Sequence, residues 1–170
     1  MPHPDNLRPL DRRVEPLRHD SQPQEVRYNS DGSYYIAKRY FNVTGGATVV
    51  GRPYRRTNTG ANLNNPQVSA LAALAAVYQD VVVALEAVAN NAWCWCAVYG
   101  DVDCGVEGTA DVAAGNFLRV VAATSALALV VEAAATTKTV NTVATAKAAQ
   151  AANSVVNVRV HLHGDRAVIG

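Results

Sequence analysis

Two histidines near the end of the sequence have the spacing most suggestive of chemistry. One residue separates His161 from His163, and one separates His163 from Asp165. Apolar residues also alternate along this segment, which is typical of a strand, so both imidazoles would lie on one face. Imidazole is the commonest metal ligand among side chains. The segment raises three hypotheses: a small metal-binding enzyme, a metal shared between subunits, and a surface strand that carries two histidines. We prefer the last.

The run His161-Leu162-His163-Gly164-Asp165 resembles the start of the His-x-His-x-Asp-His motif of metallo-β-lactamase-like hydrolases. The resemblance implies metal-dependent hydrolysis by these side chains. The sequence departs from the motif at Arg166, which stands where the motif has its next histidine. We therefore expect no catalytic residue, no metal and no cofactor, and we predict that the chain is not an enzyme.

Three cysteines and two acids could form a second metal site: Cys94, Cys96, Cys104, Asp101 and Asp103. Structural zinc sites prefer two to four residues between paired cysteines, and Cys94 and Cys96 are separated by one. An odd number of cysteines also argues against a fully paired disulfide framework, although one bridge from Cys104 stays open. The preferred interpretation is buried thiols at a helix end, packed with the neighbouring tryptophans.

A small basic and aromatic group is a candidate surface for a partner: Arg52, Tyr54, Arg55 and Arg56. Residues 28–60 hold five basic residues and one acid, whereas residues 61–108 hold five acids and no Lys or Arg. Complementary charges could dock one copy on the next, and chance placement is the alternative. A net charge of +1 makes nucleic acid a weak candidate.

The ends of the chain are expected to be extended. Residues 1–27 contain five prolines and read as a proline-rich arm. Residues 28–56 are predicted to form a β-hairpin. A turn signal at 29–32 precedes its first strand over 33–43, and a turn at 44–47 leads into its second strand at 48–50. Residues 155–169 alternate with period two and predict a second hairpin.

The middle of the chain is predicted to be helical. Asn65 and Pro66 suit the start of a helix over 66–98. Apolar residues follow a heptad seam there, which is the candidate oligomer interface unless it packs within one chain: Leu71, Leu74, Tyr78, Val81, Leu85, Val88 and Trp95. A second helix is expected over 109–153. The predicted fold class is thus α+β, mainly α: a long two-helix hairpin or bundle and a small antiparallel sheet from the two hairpins.

The arm and the helical seam favour a structural, self-assembling protein. The Ala, Val, Thr and Asn content with scarce Lys is similar in style to bacteriophage virion proteins, and we expect a capsid, decoration, fibre or tail component. The partners would be further copies and neighbouring structural subunits, without nucleic acid, membrane or small-molecule substrate. The location would be the virion, or otherwise the cytoplasm. The alternatives are a membrane-associated or filament-forming helical hairpin and the metal-binding enzyme.

Overall fold

A computed structural model describes residues 24–57, 66–70, 81–107, 112–121, 126–129, 143–149 and 155–163. These residues contain ten strands and no helix. The strands are β1 (Gln24–Tyr28), β2 (Tyr34–Asn42), β3 (Pro53–Thr57), β4 (Gln67–Ser69), β5 (Val81–Ala84), β6 (Trp93–Glu107), β7 (Phe117–Val121), β8 (Ala126–Leu129), β9 (Ala144–Ala146) and β10 (Val155–Leu162). Within the same residues, nothing forms a helix long and apolar enough to span a membrane.

The long strand β6 belongs to two closed rings of strands. All ten strands join one sheet in the order β1-β2-β4-β3-β5-β6-β10-β9-β7-β8, and β6 also pairs with β2 and with β8. These two further pairings close β2, β4, β3, β5 and β6 into a first ring, and β6, β10, β9, β7 and β8 into a second. Only the pairings β2–β4 and β6–β8 are parallel among those described.

A one-residue irregularity in β6 allows this strand to contribute side chains to the interior of both rings. Ala37 faces Ala97 and Ile36 faces Tyr99, so Val98 is an extra residue on β6. An extra residue reverses which side chains point to which face of a strand. The even-numbered residues of β6 before Val98 therefore project into the first ring. The even-numbered residues after Val98 project into the second ring.

The two rings have separate hydrophobic cores. The first contains Tyr40, Tyr54, Val68, Val82, Ala84, Cys94 and Cys96. The second contains Val83, Ala97, Val102, Cys104, Val106, Val112, Leu118, Ala144, Ala146, Val160 and Leu162. Val83 and Ala97 come from strands of the first ring, so the outer face of that ring packs against the second core. Burial of each Val or Leu contributes about 1.5–3 kcal/mol, and β-branched side chains suit the pleated strands.

The prediction of a mainly helical fold is wrong. Val81, Leu85, Val88 and Trp95 lie on β5, on the segment after it and on β6, so they form no helical seam. The β-branched run at the start of β5 favours a strand, and Asn91 has a φ of 63°, which places a turn before β6. Leu71, Leu74 and Tyr78 lie outside the described residues. Contact of the seam residues with another subunit stays a prediction.

The second predicted helix, over 109–153, is also wrong, since β7, β8 and β9 lie within it. The physical reason is its Thr and Val content, which weakens helices and suits strands.

At the ends of the chain, β2 and β10 coincide with two expected strands. However, β2 pairs with β1, β4 and β6 and not with residues 48–50. Residues 24–27 of the expected arm belong to β1, while residues 1–23 and 164–169 lie outside the described residues.

Candidate functional site

The β1–β2 hairpin presents three large apolar side chains to solvent. Val26, Tyr28 and Tyr34 are 48%, 59% and 46% exposed. Tyr28 pairs with Tyr34, and Val26 lies two residues before Tyr28, so all three point to the same face. We call these three residues the hairpin face. Large apolar side chains grouped on an edge hairpin are typical of an interaction surface.

A row of rings continues from the hairpin face across β6 to β10. The ring centroids of Tyr28 and Tyr34 are 6.4 Å apart, and those of Tyr34 and Tyr99 are 6.5 Å apart. Tyr99 meets His161 edge-on at 5.3 Å, and His161 lies 6.2 Å from His163. Tilted and edge-on contacts at these distances are favourable. The row therefore holds the hairpin face against the body of the sheet.

Asp101 forms the polar centre beside this row. It is 8% exposed, and its carboxylate contacts Nδ1 of His161 at 2.5 Å and Nζ of Lys147 at 3.5 Å. The side-chain amide of Asn29 donates to the backbone carbonyl of Asp101 at 2.7 Å. A buried carboxylate needs such partners, because burial without them is strongly unfavourable. The cluster thus ties the β1–β2 turn to β6 and β10.

The tip of the hairpin is attached by a second set of contacts. Asp31 accepts hydrogen bonds from the amide of Ser33 at 2.9 Å and from its hydroxyl at 2.5 Å. These bonds, together with nearby Arg159, lower the pKa of Asp31. Arg159 bridges Asp31 at 3.3 Å and Asp103 at 2.6 Å, and the hydrogen bond to Asp103 raises the pKa of the guanidinium. These exposed contacts set the orientation of the hairpin and contribute little to stability.

Around the two histidines, and elsewhere in the described residues, no group of three His, Cys, Asp or Glu side chains is placed to hold a metal ion. His161 is engaged by Asp101, and Nε2 of His163 lies 2.7 Å from Oγ1 of Thr145. The third residue of the sequence motif, Asp165, lies outside the described residues. The arrangement is that of side chains that connect strands.

The three cysteines are free and fully buried. Cys94 and Cys96 lie in the first core with their sulfurs 3.7 Å apart, whereas Cys104 lies in the second core. The hydrogen bond between the first two lowers the pKa of Cys94 and raises that of Cys96, and burial raises the pKa of Cys104. Because the two cores lie on opposite faces of β6, the three sulfurs cannot share one metal. The expected helix end around Cys94 and Cys96 is wrong, since both lie on β6.

A group of arginines stacked on tryptophans occupies the face opposite the hairpin face, and sequence inspection missed it. The guanidinium of Arg27 lies 4.8 Å from the ring of Trp95. That of Arg39 lies 5.8 Å from the ring of Trp93 and 6.0 Å from that of Trp95. Such cation–π contacts contribute about 0.5–1 kcal/mol at exposed sites. The alternation Trp93-Cys94-Trp95-Cys96 was the signal that could have placed both tryptophans on one face of a strand.

The basic and aromatic group predicted as a partner surface is divided by the fold. Tyr54 is 6% exposed and lies in the first core, where its hydroxyl accepts the amide of Val49 at 2.8 Å. Arg52 is exposed, while Arg55 and Arg56 are half-buried neighbours on β3 and therefore point to opposite faces. Contact of the three arginines with a partner stays a prediction.

Three of the five acids of the 61–108 block have partners within the chain, and Asp80 lies outside the described residues. Asp101 and Asp103 are engaged by Lys147 and Arg159, and the carboxylate of Glu86 accepts the backbone amide of Trp95 at 2.8 Å. These contacts join distant parts of the same subunit. Docking of the acidic block on the basic block of another copy stays a prediction.

Comparison with known proteins gives little further information. No protein-family model matches the sequence. No curated protein matches it. Among solved structures, the chain is similar to the N base of the head fibre gp8.5 of bacteriophage phi29, with 12% identity and a TM-score of 0.46, over 76% of this chain and 96% of that one. The neighbour is a phage structural protein, and a likeness this weak does not establish a shared fold or function.

Proposed function

We propose that the chain is a structural, self-assembling subunit of a bacteriophage virion, with no enzymatic role. The observation that carries the proposal is the hairpin face, where Val26, Tyr28 and Tyr34 are about half exposed. Scattered apolar side chains on a surface need no explanation, but a group on an edge hairpin does. Its natural role is to contact another subunit.

The way in which the hairpin is attached supports the same role. Asn29 and Asp31 at its tip are held by the carbonyl of Asp101 and by Arg159. A surface that is held in place before it meets its partner loses less conformational entropy on binding. The hairpin face therefore suits repeated assembly of identical subunits.

The virion location is the finer part of the proposal. Its support is the composition, which is rich in Ala, Val, Thr and Asn and poor in Lys. The partners would be further copies and neighbouring structural subunits of a capsid, decoration, fibre or tail. The helical-hairpin alternative is not retained, because the described residues form strands.

The mass of the purified chain in solution tests the proposal. We expect light scattering to give a mass above the 18.0 kDa of one chain at micromolar concentration. The Tyr28→Ser, Tyr34→Ser double variant should lower that mass. The matched control is Val49→Ser with Val50→Ser, which removes a pair 44% and 52% exposed outside the hairpin face, and it should leave the mass unchanged.

A wild-type chain that stayed at the mass of one subunit throughout the micromolar range would contradict self-assembly. An assembly that both double variants dissociated equally would show that the hairpin face is not the contact. Assembly of the wild type, lost only in the tyrosine variant, would support the proposal.

A further inference from the structure

The outer edge of β1 carries unpaired backbone groups within the described residues, where β1 pairs only with β2. The amide of Asn29 donates to the carbonyl of Ser33 at 2.8 Å. Hydrogen-bonded pairs alternate along an antiparallel ladder, so Arg27 and Glu25 bond to β2. The amides and carbonyls of the remaining three residues of β1 therefore point away from it: Gln24, Val26 and Tyr28.

The sequence of β1 is complementary to itself in the antiparallel sense. If two copies met about a two-fold axis at Val26, each Glu25 would lie opposite Arg27 of the other copy, and each Gln24 opposite Tyr28. The pairs at Val26 and at Gln24–Tyr28 would use only outward backbone groups, which gives about six hydrogen bonds. Glu25 and Arg27 would occupy the closer, non-hydrogen-bonded pairs, where opposite charges favour pairing.

Neighbouring registers lack this complementarity. An axis at Glu25 would place two carboxylates opposite each other, and an axis at Arg27 would place two guanidinium groups opposite each other. Like charges directly opposite destabilise a pair of strands. Within one chain, Glu25 and Arg27 form a 2.9 Å ion pair and are 36% and 34% exposed, so a second copy can reach both charges and would extend this pair into a network across the axis.

We propose that two copies of this chain join their sheets by antiparallel pairing of β1 with β1 about a two-fold axis at Val26. The inference rests on the proposed self-assembly and identifies one of its contacts. The hairpin faces of the two copies would then adjoin on one side of the continuous sheet, with Val26 at the axis and Tyr28 beside it. Both are about half exposed in one chain and would be covered in part by the second copy.

Disulfide trapping between two different variants tests the register. Glu25→Cys chains mixed with Arg27→Cys chains should form a disulfide-linked dimer on mild oxidation, because paired Cα atoms at such positions lie about 4.5 Å apart. The mixed dimer keeps one of the two ion pairs. Each variant alone should give little linked dimer, since its new cysteine would face the wrong residue. The native cysteines are fully buried and should not compete.

Removal of one outward amide tests the edge itself. Val26→Pro takes away an N–H that does not bond to β2, and an edge strand tolerates such a proline. Because Val26 of each copy lies at the axis, the substitution would remove two hydrogen bonds between the copies. We expect the dissociation constant of the dimer to rise about tenfold or more. Val26→Ala is the matched control, which keeps the amide and should change the constant less. Circular dichroism of both variants should match the wild type.

The outcomes separate the two proposals. Linked dimer in the mixture alone, with weaker association of Val26→Pro, supports the β1 contact. If the wild type assembles but the mixture does not cross-link selectively, or Val26→Pro assembles like the wild type, another surface or segment makes the contact. The inference then fails and self-assembly stands. A wild type that is always a single chain would overturn both.

Discussion

Replacement of Gly100 by alanine tests the junction of the two rings. Gly100 lies on β6 between the extra residue Val98 and Asp101, and it has a φ of 91°. A Cβ added there would lie 2.4 Å from the carbonyl oxygen of Tyr34 and 2.8 Å from the Cα of Tyr35. Both atoms are backbone, so β2 itself would have to move.

Gly32 provides the matched control. Its φ of 82° is similar, but nothing lies within 4 Å of an added Cβ. A residue with a Cβ loses about 1–2 kcal/mol of stability in the left-handed backbone conformation. Replacement of glycine by alanine also makes the unfolded chain less flexible, which stabilises the folded state by about 0.4–1 kcal/mol. Gly32→Ala should therefore lose about 1 kcal/mol of unfolding free energy. Gly100→Ala adds overpacking of about 1–3 kcal/mol, for a total loss of about 2–4 kcal/mol.

Urea unfolding, followed by the fluorescence of Trp93 and Trp95, measures both variants against the wild type. All samples are compared at one protein concentration, because association shifts apparent stability. A loss for Gly100→Ala no larger than that for Gly32→Ala would refute the reasoning. It would mean that β2 and β6 do not approach each other as closely as the structure shows.

Three further predictions concern buried and charged groups. Asn42→Ala should lower the unfolding free energy by about 2–4 kcal/mol, because the buried amide donates to three backbone carbonyls and its oxygen accepts a backbone amide. Denaturant unfolding measures this loss, and Asn42→Asp should not restore stability, since a carboxylate cannot donate to a carbonyl. The thiols of Cys94, Cys96 and Cys104 are fully buried, so a thiol reagent should label none in the folded protein and all three after unfolding; rapid labelling of the native protein would contradict this. The hydrogen bonds to Asp31 lower its pKa from 3.8, so its stabilising effect is present above that value and lost as the pH falls through the lower folded pKa. Stability should therefore fall less in Asp31→Asn than in the wild type between about pH 5 and pH 2, and equal falls would show that the hydrogen bonds do not stabilise the folded state.

The helical prediction for the middle of the chain failed for an identifiable reason. Val82 and Ala84 lie in the first core, and Val83 lies in the second. A strand buried on both faces has a continuous apolar run, which periodicity alone cannot distinguish from a buried helix. The run Val81–Val83 and the alternation of Trp and Cys before Ala97 were the available signals for strands, and the heptad spacing of the leucines obscured them.

The candidate site was only partly visible in the sequence. His161 and His163 were singled out there, but as candidate metal ligands, and the structure instead places His161 beside Asp101. These two residues are far apart in the chain, and no local pattern marks the contact. The hairpin face was missed because Val26 and Tyr28 alternate with Glu25 and Arg27 like residues of an ordinary exposed strand, and because Tyr34 is separated from them by the turn.

The sequence by itself determined features that depend on neighbouring residues. The turn residues from Asn29 to Gly32 act through local hydrogen bonds and a glycine with positive φ. The alternation within β10 and the self-complementary charges of β1 can likewise be read directly. Such features need no knowledge of distant segments.

Only the tertiary structure decided which strands pair and which faces are buried. Because Val98 is an extra residue in β6, the strand turns one set of side chains into the first ring and the opposite set into the second. That outcome depends on register across β2, β5 and β10, and a shift of one residue would exchange the buried and exposed faces. The edge of β1 that no described strand pairs is likewise a property of the assembled sheet, since β1 pairs with one edge of β2 and β6 pairs with the other.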